Sequence, residues 1–453
     1  MGRQLFGTDG IRGVAGEFPL DRATTFAVGR ALGDWARRHH GDPEVVIGMD
    51  TRESGPRLAA LVAGGLAWSG VRSRVAGVIT TPGIAYLART GPYVAGVIIS
   101  ASHNPYQDNG IKVFDHSGYK LPDEVEQRLE EEILRLRDQG DEAGEVELVA
   151  EPGLDREYLE ALARTSGRLD GIRLVVDCAN GAAYGLAPEL FGRLGAKVDA
   201  VGCAPDGRNI NLGCGALHPE LLSREVPARG ADLGVAFDGD ADRAIFVSRS
   251  GKILDGDLVL FLCGRSLAGK GLLGGNHGRP VVVATVMSNL GLEEAVRSWG
   301  AELVRTPVGD KYVLEEMLRR QALLGGEQSG HVIFRHYATT GDGLLTALRV
   351  LEVMRETGKG LDELTAEFPR YPQRLENVRV AVKRPIEELA AVQREIEAAR
   401  QSFGGRGRVV VRFSGTEPLA RVMVEGPDAG LVAEHAERIA AVLRRELGSA
   451  ALT

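Results

Sequence analysis

The chain has 453 residues, 44% hydrophobic and 26% charged, enough for three or four domains with apolar cores. Its net charge of −8 argues against nucleic acid or an anionic membrane as a partner, although a local arginine cluster can still hold a small anion. No apolar run approaches the ~20 residues of a membrane helix, Asp9, Arg12 and Glu17 exclude a signal peptide, and Cys178, Cys203, Cys214 and Cys263 contain no Cys-x-x-Cys pair, so a cytoplasmic protein with free thiols is expected.

Strand-like runs alternate with helical patterns along most of the chain, which predicts parallel sheets flanked by helices. After the Gly-rich segment Phe6–Gly13, which carries Asp9 and Arg12, Val45–Gly48 reads as a strand ending at Asp50 and Leu58–Ser69 as an amphipathic helix. Ala95 to Ile99 is an apolar strand that leads into Ser-Ala-Ser-His-Asn-Pro, and so delivers the Ser102 hydroxyl and the His103 imidazole into a loop. Loops at the carboxyl ends of such strands are where ligands bind, although Ser, Asn and Pro are also ordinary turn formers. Asp123–Arg137 reads as a helix, and Leu174–Val176 and Leu233–Phe237 as strands that end in Asp177 and Asp238.

Asp238-Gly-Asp-Ala-Asp-Arg243 places three carboxylates at alternate positions, on one side of an extended segment. That crowding calls for a hard divalent cation such as Mg²⁺. An EF-hand is excluded because its sixth and twelfth positions are Arg243 and Arg249. A phosphatase-type aspartyl nucleophile stays open as an alternative. Arg243 could neutralise charge on a transferring phosphate.

Val281–Val286 is a further strand, followed by Gly325-Gly-Glu-Gln-Ser-Gly-His331. Glu327 could accept two vicinal sugar hydroxyls and Ser329 could add a contact; His331 is equally readable as a structural histidine. Breaks near Glu151-Pro-Gly153, Gly251 and Tyr371-Pro372 divide the chain into 1–150, 151–251, 252–368 and 369–453. In the last part, strands at Val378–Val382, Val409–Phe413 and Arg421–Val424 and helices at Ile386–Arg400 and Leu431–Leu447 predict a small α+β domain. Arg412, Ser414, Gly415, Thr416 and Arg421 surround one turn of that domain. Guanidinium forks, hydroxyls and open backbone N–H groups suit a phosphate that is held rather than cleaved.

Taken in order, these segments resemble the α-D-phosphohexomutases from end to end. The resemblance implies three related α/β domains with mixed, mostly parallel sheets plus a C-terminal α+β domain, all around one central cleft. It implies Ser102 as the phosphorylated residue, with Ser102, Asp238, Asp240 and Asp242 binding one Mg²⁺ per subunit. Glu327 and Ser329 would contact the sugar, and Arg412, Ser414, Gly415, Thr416 and Arg421 the distal phosphate. Arg12, His103, Lys112, Arg243 and His331 complete the candidate catalytic set.

Phe6–Gly13, Asp177-Cys-Ala-Asn-Gly-Ala182, Thr339-Thr-Gly-Asp-Gly343 and Gln328 resemble the family members that act on glucosamine phosphate; the phosphomannomutase/phosphoglucomutase members commonly carry methionine at the last position. The expected activity is an isomerase that interconverts glucosamine 6-phosphate and glucosamine 1-phosphate through phosphoserine and glucosamine 1,6-bisphosphate. It would supply UDP-N-acetylglucosamine synthesis, with glucosamine 1,6-bisphosphate or glucose 1,6-bisphosphate as activator. The alternative is a phosphomannomutase/phosphoglucomutase of the same mechanism; a non-catalytic sugar-phosphate sensor is the third class. A hexosamine phosphate is the expected partner, and the composition leaves a homodimer open. Two departures stand out: Phe413, where the family more often has proline or a basic residue, and Lys311, where arginine is common and whose exchange loses the bidentate fork.

The chain has eight lysines against forty-six arginines. Lys112, just after the serine loop, is therefore a candidate general acid/base, because a desolvated lysine can give up a proton and arginine cannot. A role as a phosphate or structural cation is an equal alternative.

Overall fold

The computed structural model describes residues 5–7, 9–140, 143–276, 278–414 and 418–448. Its central strands form where short, β-branched apolar runs can be buried on both faces. In the first sheet, Glu44–Met49 and Ala95–Ile99 are wholly buried and pair in parallel. The full order is Phe6–Gly7, Gly10–Val14, Asp108–Asp115, Ala95–Ile99, Glu44–Met49 and Arg72–Val78, with antiparallel pairing on the side of the amino terminus.

The second sheet runs Ile253–Leu254, Ala244–Ser248, Leu233–Phe237, Arg173–Asp177, Lys197–Val201. The third runs Glu302–Thr306, Val281–Thr285, Leu324–Gly326, Val332–Phe334. Both combine parallel pairs with antiparallel ones, so three mixed α/β layers follow one another as expected.

A fourth, antiparallel sheet of Gln373–Arg379, Leu419–Glu425 and Arg408–Phe413 is backed by helices Ala390–Ser402 and Ala429–Leu447. Its first strand starts earlier than the apolar run at 378–382 indicates. Seven residues pair with Leu419–Glu425; five of them are polar and only Val378 is buried, so the strand lacks an apolar signature. The helix expected from Ile386 is split: Ile386–Glu388 is a 3₁₀ turn and the α-helix begins at Ala390.

One apolar cluster passes through all three α/β units, from Val46 and Ile98 through Val176 and Phe237 to Leu258 and Leu348. The fourth unit has a separate core around Val392, Val422 and Ile439. Among the described residues no helix is long and apolar enough to cross a membrane.

Candidate active site

The strand Ala95–Ile99 carries the serine loop to the carboxyl edge of the first sheet. Ser102 is 1% exposed and takes a left-handed backbone (φ 53°). Its neighbours enforce that turn. Ser100 Oγ donates to Asp50 Oδ2 (2.6 Å) and accepts the Ser102 N–H (2.9 Å). Arg52, fully buried, donates through Nε to Asp50 (2.9 Å) and through its amino groups to the carbonyls of Ser102 (3.0 Å), Asn104 (2.8 Å), Asp108 (2.9 Å) and Pro105. From the second unit, Asn211 Nδ2 donates to the Ser102 carbonyl (2.9 Å).

The strand Leu233–Phe237 delivers the acidic loop to the same place. Asp238, Asp240 and Asp242 are buried, with one oxygen from each lying within 4.8 Å of the others. Ser102 Oγ donates to Asp238 Oδ2 at 2.6 Å. Gly239 passes so close that a Cβ there would lie 2.4 Å from the Ser102 carbonyl oxygen. Thr81, at the start of helix Thr81–Thr90, donates its N–H to Asp240 O (3.0 Å) and its hydroxyl to Asp240 Oδ2 (2.6 Å).

Burial, with Asp242 and Asp240 alongside, pushes Asp238 well above the usual carboxylate range. Asp240 Oδ1 and Asp242 Oδ1 are buried without hydrogen-bond partners. An all-oxygen donor set with orphaned lone pairs fits a hard divalent cation.

Arg243 closes this loop. Its N–H donates to Asp238 Oδ1 (3.2 Å), and its guanidinium lies 3.8 Å from Asp242 Oδ1. His331 Nε2 accepts the Gly341 N–H (3.1 Å), so Nδ1 is left to carry the proton toward Asp242 Oδ1, 3.6 Å away. His103 Nδ1 is 3.3 Å from Ser102 Oγ. Burial, with Arg243 and Arg12 nearby, pulls this imidazole down to about 4, so it is neutral.

Lys112 is buried 3.0 Å from Asp240 Oδ2 and 3.1 Å from Asp9 Oδ2. Burial pulls its pKa down, but the charges of Asp240, Asp9 and Asp242 outweigh that and raise it above the ordinary lysine value, so it stays an ammonium. Asp9 also takes Arg12 and Lys120, and Lys120 reaches Asp310 of the third unit (2.6 Å). Against the cost of burial, Lys112, Lys120 and Arg12 keep Asp9 well below the ordinary range. Asp9, Arg52 and Thr81 thus support the site, although sequence reasoning gave none of them a role. The signal for Arg52 was its place two residues after a strand-ending aspartate.

The Gly325–His331 loop joins the acidic loop through backbone: Arg243 and His331 form an isolated antiparallel bridge, and the Ala244 N–H donates to Gly330 O (3.1 Å). Glu327 is nearly buried, its Oε1 accepting the Gly309 N–H (3.0 Å), whereas Ser329 is exposed. Lys311 pairs with Asp123 of the first unit. In the fourth unit Arg412 and Arg421 are cross-strand neighbours. Burial and the Arg421 charge lower Arg412, with Glu327 opposing, and Arg412 Nε is buried without a hydrogen-bond partner. Paired like charges of this kind call for an anion. Ser414 is buried. Gly415 and Thr416, expected at the same turn, lie outside the described residues.

Residues 3–139, 156–251, 255–371 and 375–442 match, in turn, domains I, II, III and the C-terminal domain described as phosphoglucomutase/phosphomannomutase. A phosphoglucosamine mutase of Solibacter usitatus is 61% identical over 449 residues, covering 99% of this chain and 100% of that one. One from Koribacter versatilis is 49% identical, covering 98% of each. Among solved structures, a phosphoglucomutase/phosphomannomutase family protein of Burkholderia thailandensis superposes with a TM-score of 0.79 at 27% identity, over 98% of both chains.

Proposed function

We infer that the chain, which belongs to the phosphoglucomutase/phosphomannomutase family of α-D-phosphohexomutases, interconverts glucosamine 6-phosphate and glucosamine 1-phosphate through a phosphorylated Ser102 and a glucosamine 1,6-bisphosphate intermediate. The observation that carries this reading is the Ser102 hydroxyl lying 2.6 Å from a carboxylate of a buried acidic triad. The product would feed UDP-N-acetylglucosamine synthesis.

Asp238, Asp240 and Asp242, with Ser102, would hold one Mg²⁺. When bound, the ion would offset negative charge on the transferring phosphoryl group. The chain's own groups do the rest. Arg412 and Arg421, with Ser414, grip the phosphate that is not reacting, and Glu327 accepts hydrogen bonds from sugar hydroxyls. The sugar 1-hydroxyl oxygen attacks phosphorus in line; its bond to phosphorus forms as the bond to Ser102 Oγ breaks. Phosphoryl transfer of this kind needs positioning and charge stabilisation above all. Arg12, Arg243 and Lys112 surround the charge. Neutral His103 is a suitable acceptor for the hydroxyl proton, whereas Lys112, held as an ammonium, suits a cationic or proton-donating role. After the bisphosphate reorients, Ser102 Oγ attacks the phosphorus of its 6-phosphate, the bond to the sugar 6-oxygen breaks, and that oxygen takes the proton the 1-hydroxyl gave up, so the two transfers balance.

The test is to prime the protein with glucose 1,6-bisphosphate and Mg²⁺ and compare kcat/KM on glucosamine, glucose and mannose phosphates. A clear preference for glucosamine phosphate is expected. Equal or better rates on the others would move the chain to the phosphomannomutase/phosphoglucomutase branch. Ser102→Ala should lose roughly 10⁴-fold or more in turnover. Radiolabel from the bisphosphate on Asp238 rather than Ser102 would favour the aspartyl-nucleophile alternative.

A further inference from the structure

Gln328 sits between Glu327 and Ser329, yet its carboxamide is engaged elsewhere. Nε2 donates to Asp257 Oδ2 (3.1 Å) and to Gln373 Oε1 (3.1 Å). Gln373 opens the first strand of the fourth sheet, and its own Nε2 donates to Met287 O (2.9 Å). The backbone beneath is fixed: the Gly256 N–H donates to Gln328 O (3.0 Å), and a Cβ on Gly256 would lie 1.9 Å from Glu327 O. A line of bonds therefore runs from the start of helix Gly256–Gly269, through the sugar loop, to the domain that carries Arg412.

Among the described residues the fourth unit shares no apolar core with the other three. Polar bonds make its junction: the Leu290 N–H donates to Glu425 (2.8 Å), and Arg408 donates to Ser288 O (2.7 Å). These secure the domain to the third unit, and the Gln328–Gln373 bond ties it to the sugar loop itself.

We propose that Gln328 and Gln373 form an amide latch that sets the spacing between the phosphate turn and the sugar loop, so that Gln328 is a positioning residue and does not read the sugar's 2-substituent. The proposal rests on the mutase reading. A neutral amide bond is strong enough to bias a closed arrangement and weak enough to open in each turnover.

The test uses the full chain, primed with glucose 1,6-bisphosphate and Mg²⁺, and compares Gln328→Met, Gln373→Met and the double variant. Methionine matches the length but cannot donate. Each single variant should raise KM for the sugar phosphate about 5- to 10-fold with kcat within about twofold, and the double variant should be no worse than the poorer single. The ratio of kcat/KM on glucosamine against glucose phosphate should stay put. A ratio that moves in Gln328→Met but not in Gln373→Met overturns the proposal, as does an unmoved KM in both or a double variant equal to the product of the singles. Gln373 is half-buried at a strand end, so if Gln328→Met fails to fold, an unmoved KM in Gln373→Met alone overturns the latch. Wild-type protein inactive on every sugar phosphate would overturn the mutase reading instead.

Discussion

Arg52 and Asp50 hold the serine loop by its backbone. One buried guanidinium serves four loop carbonyls and one carboxylate, and the Ser102 turn depends on that geometry. Lysine keeps the charge but cannot reproduce a planar fork. Arg52→Lys should therefore lower kcat by roughly 100-fold, as expected when a reacting atom shifts by about an ångström. Arg52→Met, which leaves Asp50 buried and unpaired, should cost about 3–5 kcal/mol in urea unfolding. Wild-type stability and turnover in both variants would show that the loop holds itself. Asp50, Asp177 and Asp238 all end strands, but they do different work. Asp50 orients Arg52 and Ser100, Asp177 accepts the N–H groups of Ala179 (2.9 Å) and Gly215 (2.7 Å), and Asp238 faces Ser102.

At the scale of elements, the start of helix Gly256–Gly269 carries a titration. Asp257 is buried, accepting the Asn289 N–H (2.8 Å) and Gln328 Nε2 through one oxygen, while Oδ1 has no hydrogen-bond partner. Burial, with Asp255 nearby, pushes it up to about 7. A carboxyl raised in the folded state binds more protons there than in the unfolded chain. Its contribution is fully present below the unfolded pKa of about 4 and is lost as pH rises to about 7, on the order of a few kcal/mol. Asp257→Asn keeps the accepting oxygen and removes the charge, so it should raise stability at pH 8 and flatten the profile between pH 4 and 7. Urea titrations at several pH values that leave the slope unchanged would refute this.

The same scale explains what the sequence could reveal. The serine loop, the acidic loop and the Arg412 turn each concentrate their chemistry in a few consecutive residues beside an apolar strand; the structure sets the first two in contact through Ser102 and Asp238, and the charge of Glu327 reaches Arg412. Thr81 meets Asp240 across 159 positions, and Lys120 meets Asp310 across 190, so no local pattern marks them. The strand from Gln373 is polar and half exposed, and only its partner reveals it.

In the whole molecule, the acidic triad lies where three units meet. Ser102 and Thr81 contact it from the first, and His331 from the third. Occupation of that site should stabilise the three together. Mg²⁺ at about 100 times its Kd should add about 2.7 kcal/mol and raise Tm, and a chelator should reverse the gain. Asp240→Asn should lose most of the metal-dependent rise while keeping a folded baseline. A Tm indifferent to Mg²⁺ in calorimetry would count against a resident cation.

The depth of Ser102 also limits what can charge it. A protein kinase must lay its acceptor hydroxyl, with flanking chain, in an extended groove. Here the acceptor is 1% exposed on a left-handed turn whose flanks are roped to Arg52, so extraction would mean dismantling the loop. On the proposed mechanism, the first phosphoryl group would have to arrive on a donor small enough to reach this buried hydroxyl. The same walls shield the resulting ester from phosphatases, so once charged the protein should keep its phosphate through many cycles, renewed by its own chemistry rather than by signalling enzymes.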